Sequence, residues 1–210
     1  MRNLIKRTLS SIILLPLVIY LTLKGSLYLI FLTVICFLAC FYEWHKMVKN
    51  KFFKLSGFIF LFFSFYTFYE LSIKSLILIP LFICIFTDIG GYVFGKIFKG
   101  PKLTKISPNK TYTGAFGGFF LSIIAGFTYF NFFIENITLR DEQYIAVIFF
   151  IFLISLISQI GDLIISFFKR IAKIKNTGKI LPGHGGLLDR IDGIIFTIPT
   201  SFAILNYINF

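Results

Sequence analysis

The sequence predicts an all-α, polytopic membrane bundle of about seven transmembrane helices with its N-terminus in the cytoplasm. Three observations predict it. The first is composition: of 210 residues, 57% are hydrophobic, 20% aromatic and only 14% charged, against roughly 25% charged in ordinary soluble domains. A soluble core of this size could not hide so many apolar side chains without leaving large adhesive patches. The second is block structure, because the apolar residues fall into runs of roughly 15 to 25, the length that crosses about 30 Å of hydrocarbon. The third is the placement of the basic residues.

The spans are expected near residues 9–23, 26–42, 55–69, 76–95, 114–134, 144–168 and 191–209. The first contains Pro16, lacks a small-residue cleavage site and runs into more apolar sequence, so it reads as a membrane segment rather than a signal peptide. The first two also read as a single hairpin broken at Lys24-Gly25-Ser26. Cys36 and Cys40 in the second and Cys84 in the fourth read as small buried apolar residues, with no disulfide or metal pattern. The fourth closes with Gly91 and Gly95, and the fifth opens with Gly114 and Gly118, the four-residue spacing that lets membrane helices approach closely. Residues 1–54 are expected to form an N-terminal hairpin with a basic loop, and 55–210 the transmembrane domain that carries the candidate functional residues, all in one membrane-embedded unit.

A net charge of +12 raises the question of nucleic acid, and the distribution of that charge answers it. If seven spans alternate, eighteen of the 21 basic residues share one side. They lie at the N-terminus (Arg2, Lys6, Arg7), at 46–54, at 96–110 and at 169–190. The other side keeps Lys24, Lys74 and Arg140. Such sorting is an orientation signal that places the crowded side in the cytoplasm, and much of it serves contact with anionic lipid headgroups. The expected setting is a bacterial cytoplasmic membrane, with the long polar connections that carry any functional site facing the cytoplasm and no nucleic-acid partner.

Function is sought where polar residues enter the spans, because an ionisable group there costs roughly 2.5–3.5 kcal/mol on insertion scales. Asp88 lies near the cytoplasmic end of the fourth span and Asp162 near that of the sixth. Ser155, Ser158, Asp162, Ser166 and Lys169 step by three or four residues and share one helix face, which must line protein or water. A structural pairing of Asp162 with a nearby lysine is the plainer alternative. The segment 169–192 gathers Lys169, Arg170, Lys173, Lys175 and Lys179, then Pro182-Gly183-His184-Gly185-Gly186, then Asp189-Arg190-Ile191-Asp192. Basic groups bind phosphate oxygens, glycines let the backbone turn and approach a ligand, and carboxylates with waters and phosphates suit Mg²⁺. A solvated basic loop is the bland reading of the same composition.

The residues Ser166-Phe167-Phe168-Lys169-Arg170, Lys175, Gly178, Leu181-Pro182, His184-Gly185-Gly186-Leu187 and Asp189-Arg190-Ile191-Asp192 resemble the signature of the phosphatidate cytidylyltransferase (CDP-diacylglycerol synthase) family. Gly161-Asp162 and the upstream Asp88, Gly91, Tyr92, Phe94, Gly95, Ser107-Pro108-Asn109-Lys110-Thr111 and Gly114 fit the same family. One departure is Asn176, where the family usually has an acid. The likeness covers roughly 85–200 and leaves the N-terminal third generically hydrophobic.

The resemblance implies attack of phosphatidate on the α-phosphorus of CTP, with Mg²⁺ as cofactor, room for a second cation, and a homodimer in the membrane lipid. It implies Asp162 and Asp189, with Asp192 as a third, as metal ligands. Lys169, Arg170, Lys175 and Arg190 are expected to neutralise phosphate charge, joined by Ser107, Lys110 and Ser166. His184, Gly185 and Gly186 are expected to hold a phosphate, and Asp88 is either a ligand or a partner to one. The rivals are another CTP-using lipid enzyme, such as a polyprenol kinase-like relative, and a proton-coupled secondary transporter using Asp88 and Asp162 as relay groups. No inverted repeat of the transporter kind is present. The Asp-Gly…Ala-Arg pattern of CDP-alcohol phosphotransferases is absent as well.

Overall fold

The structure is a computed structural model that describes residues 18, 20–22, 24–133, 141–181, 183 and 185–207. Among them the regular elements are helices: α1 (Ser26–Met47), α2 (Lys51–Ile73), α3 (Leu78–Phe98), α4 (Tyr112–Phe133), α5 (Asp141–Ile171) and α6 (Ile194–Tyr207). The first five are long and apolar enough to cross a membrane, and α6 is a shorter apolar helix. Most of the expected first span lies outside the described residues. The seventh is shorter than its hydropathy implied, because tight turns through 187–193 delay the helix to Ile194. Its 14 residues reach about 21 Å.

Helix ends explain the connections. Asn50 caps α2 by accepting the Phe52 N–H, which turns the chain from α1 within three residues. Ser75, in the left-handed region at φ 58°, turns α2 into α3 at the opposite end. Lys99 ends α3 in the same conformation. Thr111 caps α4, its hydroxyl accepting the Gly114 N–H at 3.0 Å.

α3 and α4 make the closest helix pair. A Cβ on Gly90 would strike the Gly117 carbonyl, one on Gly114 the Gly91 carbonyl, and one on Gly118 the Thr87 carbonyl. The glycine ridges read from the sequence therefore face each other, with Gly90 and Gly117 added to them. Pro199 inside α6 leaves the Ile195 carbonyl without its helical donor. The buried Ser64 hydroxyl on α2 donates to it at 2.8 Å, the repair a membrane interior requires.

Two apolar clusters hold the bundle. One joins Leu71, Ile77, Ile83, Phe130, Ile151, Ile154 and Ile198. The other, around Cys40, Trp44, Leu61, Phe65, Ile165, Leu188 and Ile195, sits at the end where the 48–50, 99–111 and 172–193 connections meet. Large apolar side chains such as Leu27, Phe31, Phe62, Phe116 and Ile145 point outward, as a bilayer-facing surface requires.

Candidate active site

The 99–111 connection is folded tightly enough to aim side chains. Leu103 N–H donates to Lys110 O at 2.8 Å, Tyr112 N–H to Pro101 O at 3.0 Å, and Lys110 N–H to Ser107 O at 3.1 Å. These bonds carry Lys110 back over α5, where its ammonium pairs with Asp162 Oδ2 and donates to the Gln159 carbonyl. Arg170, at the end of α5, donates from Nε to Ile106 O at 3.1 Å and ties the loop from the other side. Below lies a cavity of about 310 Å³ lined by Asp88, Tyr92, Ser107, Asn109, Lys110 and Asp162, among others.

Asp162 meets a second carboxylate there. Gly161 lies against the Asp192 carbonyl and the Phe196 ring, and Gly193 against the Ser158 hydroxyl. With no side chain on either glycine, the start of α6 closes onto α5, and the Asp192 and Asp162 carboxyls come into hydrogen-bonding contact. Burial first, then the Asp162 charge and its hydrogen bond, push the Asp192 carboxyl up to about 8, against the opposing pull of Lys169 and the Gly193 N–H. Ser166 donates to the other Asp162 oxygen at 3.3 Å. Two carboxylates in contact are the donor set of a hard divalent cation that completes its shell with waters and substrate phosphates, the usual habit of Mg²⁺.

Asp189 is held differently. Its Oδ1 pairs with Lys169 at 2.9 Å, and its Oδ2 accepts from the Thr177 N–H (2.8 Å) and the Gly186 N–H (3.1 Å), with the Thr177 hydroxyl 3.1 Å away. Behind it is a residue that sequence reasoning missed. Glu43, near the end of α1, is 1% exposed. Its Oε1 accepts the Leu187 N–H at 3.0 Å, and its Oε2 accepts the Leu188 N–H at 2.9 Å and the Thr177 hydroxyl at 2.8 Å. Gly178 and Gly186 lie against that carboxylate with no room for a Cβ.

The sequence-derived residues thus fall into two groups. Asp88, Ser107, Lys110 and Asp162 line one cavity, with Asp192 and Ser166 bonded to Asp162. Asp189, Gly185 and Gly186 belong to the loop behind, and Lys169 joins the groups by bonding Asp189 while acting on the charges of Asp162 and Asp192. Among the described residues no three His, Cys, Asp or Glu side chains gather as a metal cluster. Lys175 and Arg190 are exposed on the same loop, Asn176 packs against Gly185, and Pro182 and His184 lie outside the described residues. One signal pointed to Glu43: it is the sole acid in the first 69 residues.

Comparison with known proteins covers the whole of this architecture. Residues 5–77 and 52–208 match the cytidylyltransferase family. A phosphatidate cytidylyltransferase of Rickettsia felis is 36% identical over 213 residues, covering 97% of this chain and 92% of the relative. That of Rickettsia typhi is 34% identical over 218 residues, covering 99% and 94%. A Staphylococcus aureus phosphatidate cytidylyltransferase is 41% identical over 139 residues, which is 65% of this chain and 52% of the relative. The first two matches extend the likeness through the N-terminal third, which motif reading had left generic, and that is the third carrying Glu43. A nearly full-length match, joined to paired carboxylates and lysines at one end of a membrane bundle, places the chain in the cytidylyltransferase family, among the phosphatidate cytidylyltransferases.

Proposed function

We propose that this chain transfers the cytidylyl group of CTP to phosphatidate, forming CDP-diacylglycerol and pyrophosphate, at the cytoplasmic face of a bacterial cytoplasmic membrane. A phosphatidate oxygen attacks the α-phosphorus of CTP. The bond from that phosphorus to the oxygen bridging to the β-phosphorus breaks, and pyrophosphate leaves with the electron pair. The nucleophile needs no strong base, because a phosphate monoester has its second pKa at about 6. The demands are alignment and screening of two polyanions.

The observation that carries this reading is the Asp162–Asp192 contact beside a cavity that also presents Lys110, with Lys169 close behind. Asp162 and Asp192 are the proposed holders of Mg²⁺, with Asp88 across the cavity. When bound, the ion supplies charge neutralisation on the triphosphate and the leaving pyrophosphate. Lys110 is already poised on a carboxylate and exchanges that partner for a phosphate oxygen; Lys169 adds charge while holding Asp189 in place. Ser107 and Asn109 contribute polar contacts from the cavity wall. The basic residues crowded at this end support a site on the CTP side, with the acyl chains staying in the leaflet.

The test is CDP-diacylglycerol formation by purified protein in detergent with CTP, phosphatidate and Mg²⁺, comparing wild type with Asp162→Asn. Product from the wild type and an Asp162→Asn rate at least about a thousandfold lower, at equal yield and folding, is expected where metal and charge placement are lost together. Equal rates in both would remove Asp162 from the metal site. Transfer of the γ-phosphate instead of the cytidylyl group would move the chain to lipid kinase chemistry. Absence of any nucleotide turnover would favour transport.

A further inference from the structure

Four consecutive backbone N–H groups, at residues 185–188, are all consumed by the protein itself. Gly185 donates to Leu181 O at 3.2 Å, Gly186 to Asp189 Oδ2 at 3.1 Å, Leu187 to Glu43 Oε1 at 3.0 Å and Leu188 to Glu43 Oε2 at 2.9 Å. Of these, the Leu187 and Leu188 N–H groups converge on one carboxylate; successive N–H groups aimed at one point form an anion-binding concavity, and in a nucleotide enzyme such a concavity invites a phosphate. Here its occupant is a carboxylate from a helix more than 140 residues earlier in the chain.

We infer that Glu43 is a positioning residue, an internal anion that fills this concavity and fixes the 177–189 loop, so that the loop's side chains rather than its amides meet the substrate. This rests on the cytidylyltransferase reading above. The burial of Glu43 fits the role. A carboxylate at 1% exposure is tolerated only when its charge is answered. No basic side chain pairs with Glu43 among the described residues; the answer comes from two amides and one hydroxyl. Charge-assisted bonds of this kind are among the stronger ones available. The glycines follow from the same contact. A Cβ at Gly178 or Gly186 would enter the Glu43 carboxylate, so these positions are kept bare for the anchor.

The consequence runs to the site. The Thr177 hydroxyl that donates to Glu43 is also within reach of Asp189. Asp189 in turn holds Lys169, whose charge bears on Asp162 and Asp192. Glu43 is itself seated by its neighbour Trp44, which donates from Nε1 to Phe53 O at 3.2 Å and packs on Phe168 of α5 at 4.8 Å between ring centroids. Through Glu43 and Trp44, α1 is therefore tied to the site.

The deciding experiment is hydrogen exchange on the full-length protein in detergent, read in peptides covering 185–190, together with steady-state kinetics of Glu43→Gln. Gln keeps the shape but offers one acceptor oxygen where two are used. The expected result is slow exchange at the Leu187 and Leu188 amides in the wild type. In Glu43→Gln, exchange there becomes at least about tenfold faster, as loss of a charge-assisted bond implies, while α3 and α4 peptides are unchanged. Misplacing aligned groups costs up to about a hundredfold; that loss should appear in kcat/KM for CTP, mostly through KM, with KM for phosphatidate little altered. A purely structural role would lower yield and Tm without dividing the two substrates. Fast exchange at 187–188 in the wild type, or wild-type constants for both substrates in a folded Glu43→Gln, would overturn the inference. Wild-type exchange alone can overturn the inference even if the variant does not fold, and it can do so equally if no cytidylyl transfer is found, an outcome that would remove only the functional reading.

Discussion

The two pairs of carboxyl groups at the signature segment differ in what answers their charge. Glu43 and Asp189 are surrounded mostly by donors fixed in the backbone: four amides, joined by a threonine hydroxyl within reach of both and one lysine. Asp162 and Asp192 have each other, a single serine hydroxyl, the flexible Lys110 and one adjacent amide. A carboxylate met by rigid dipoles is finished and holds structure together. A carboxyl pressed against a carboxylate keeps its proton until a further cation takes its place, and such poised arrangements concentrate where function is. The signature segment runs between the two groups, anchored on one side and poised on the other.

The largest effect expected from this contrast is on the poised side. Asp192→Asn should cut cytidylyl transfer at least about a thousandfold by removing a proposed metal ligand, yet leave Tm no lower in the absence of divalent cations. The pH dependence carries the sign. The Asp192 carboxyl is raised from the ordinary 3.8 to about 8 by burial and by Asp162, so the folded state binds the proton more tightly than the unfolded chain. Its contribution to stability is therefore complete below 3.8 and lost as pH rises towards 8. Metal-free wild type should lose Tm across that window, Asp192→Asn should lose less, and Mg²⁺ should restore stability to the wild type alone. Equal slopes in both proteins would mean that the carboxylate contact is not the source of the strain.

The anchored side should fail in the opposite manner. Gly186→Ala places a methyl group where the Thr177 hydroxyl and the Glu43 carboxylate now sit. Overpacking a filled site costs about 1–3 kcal/mol, and here the displaced atoms are themselves hydrogen-bonded. Tm should fall at every pH, with activity falling alongside it and no rescue by Mg²⁺. An unaltered Tm would show that the loop can move off the anchor without cost.

Much of this was legible in the sequence, for physical reasons that also set the limit. Spans declare themselves through the hydrocarbon thickness, and the glycine ridges of α3 and α4 through four-residue spacing, because both are local patterns. The polar stripe of α5 was legible for the same reason: Ser155 and Ser158 are indeed buried. What could not be read was which acid faces which donor. Asp189 and Asp192 sit three residues apart in a motif that treats them alike, and only the turns through 187–193 send one to the backbone donors and the other to Asp162. Glu43 was hidden because its partners are 134–145 residues away and its neighbours, Trp44, His45 and Lys46, look like an ordinary membrane-interface sequence. A lone acid at the basic end of a span was the signal available, and the positive-inside pattern, which weighs lysine and arginine, gives it no role.

The smallest effect tests how the anchor is divided. The Thr177 hydroxyl lies 2.8 Å from Glu43 Oε2 and 3.1 Å from Asp189 Oδ2, but a hydroxyl has one proton and donates fully to one of them. The shorter contact is with Glu43, so that is where the proton belongs. Thr177→Val keeps the β-branched shape and the backbone N–H bond to Asp189, removing only the hydroxyl. The cost should match one hydrogen bond to a charged group, about 1.5–3 kcal/mol, which is less than Glu43→Ala, where two amides lose their acceptor as well. Thr177→Ser should recover most of the loss. In a double-mutant cycle, Thr177→Val should couple strongly to Glu43→Gln and weakly to Asp189→Asn, because the proton is shared unequally. Strong coupling to Asp189 instead would move the hydroxyl to the other carboxylate and leave Glu43 held by its two amides alone.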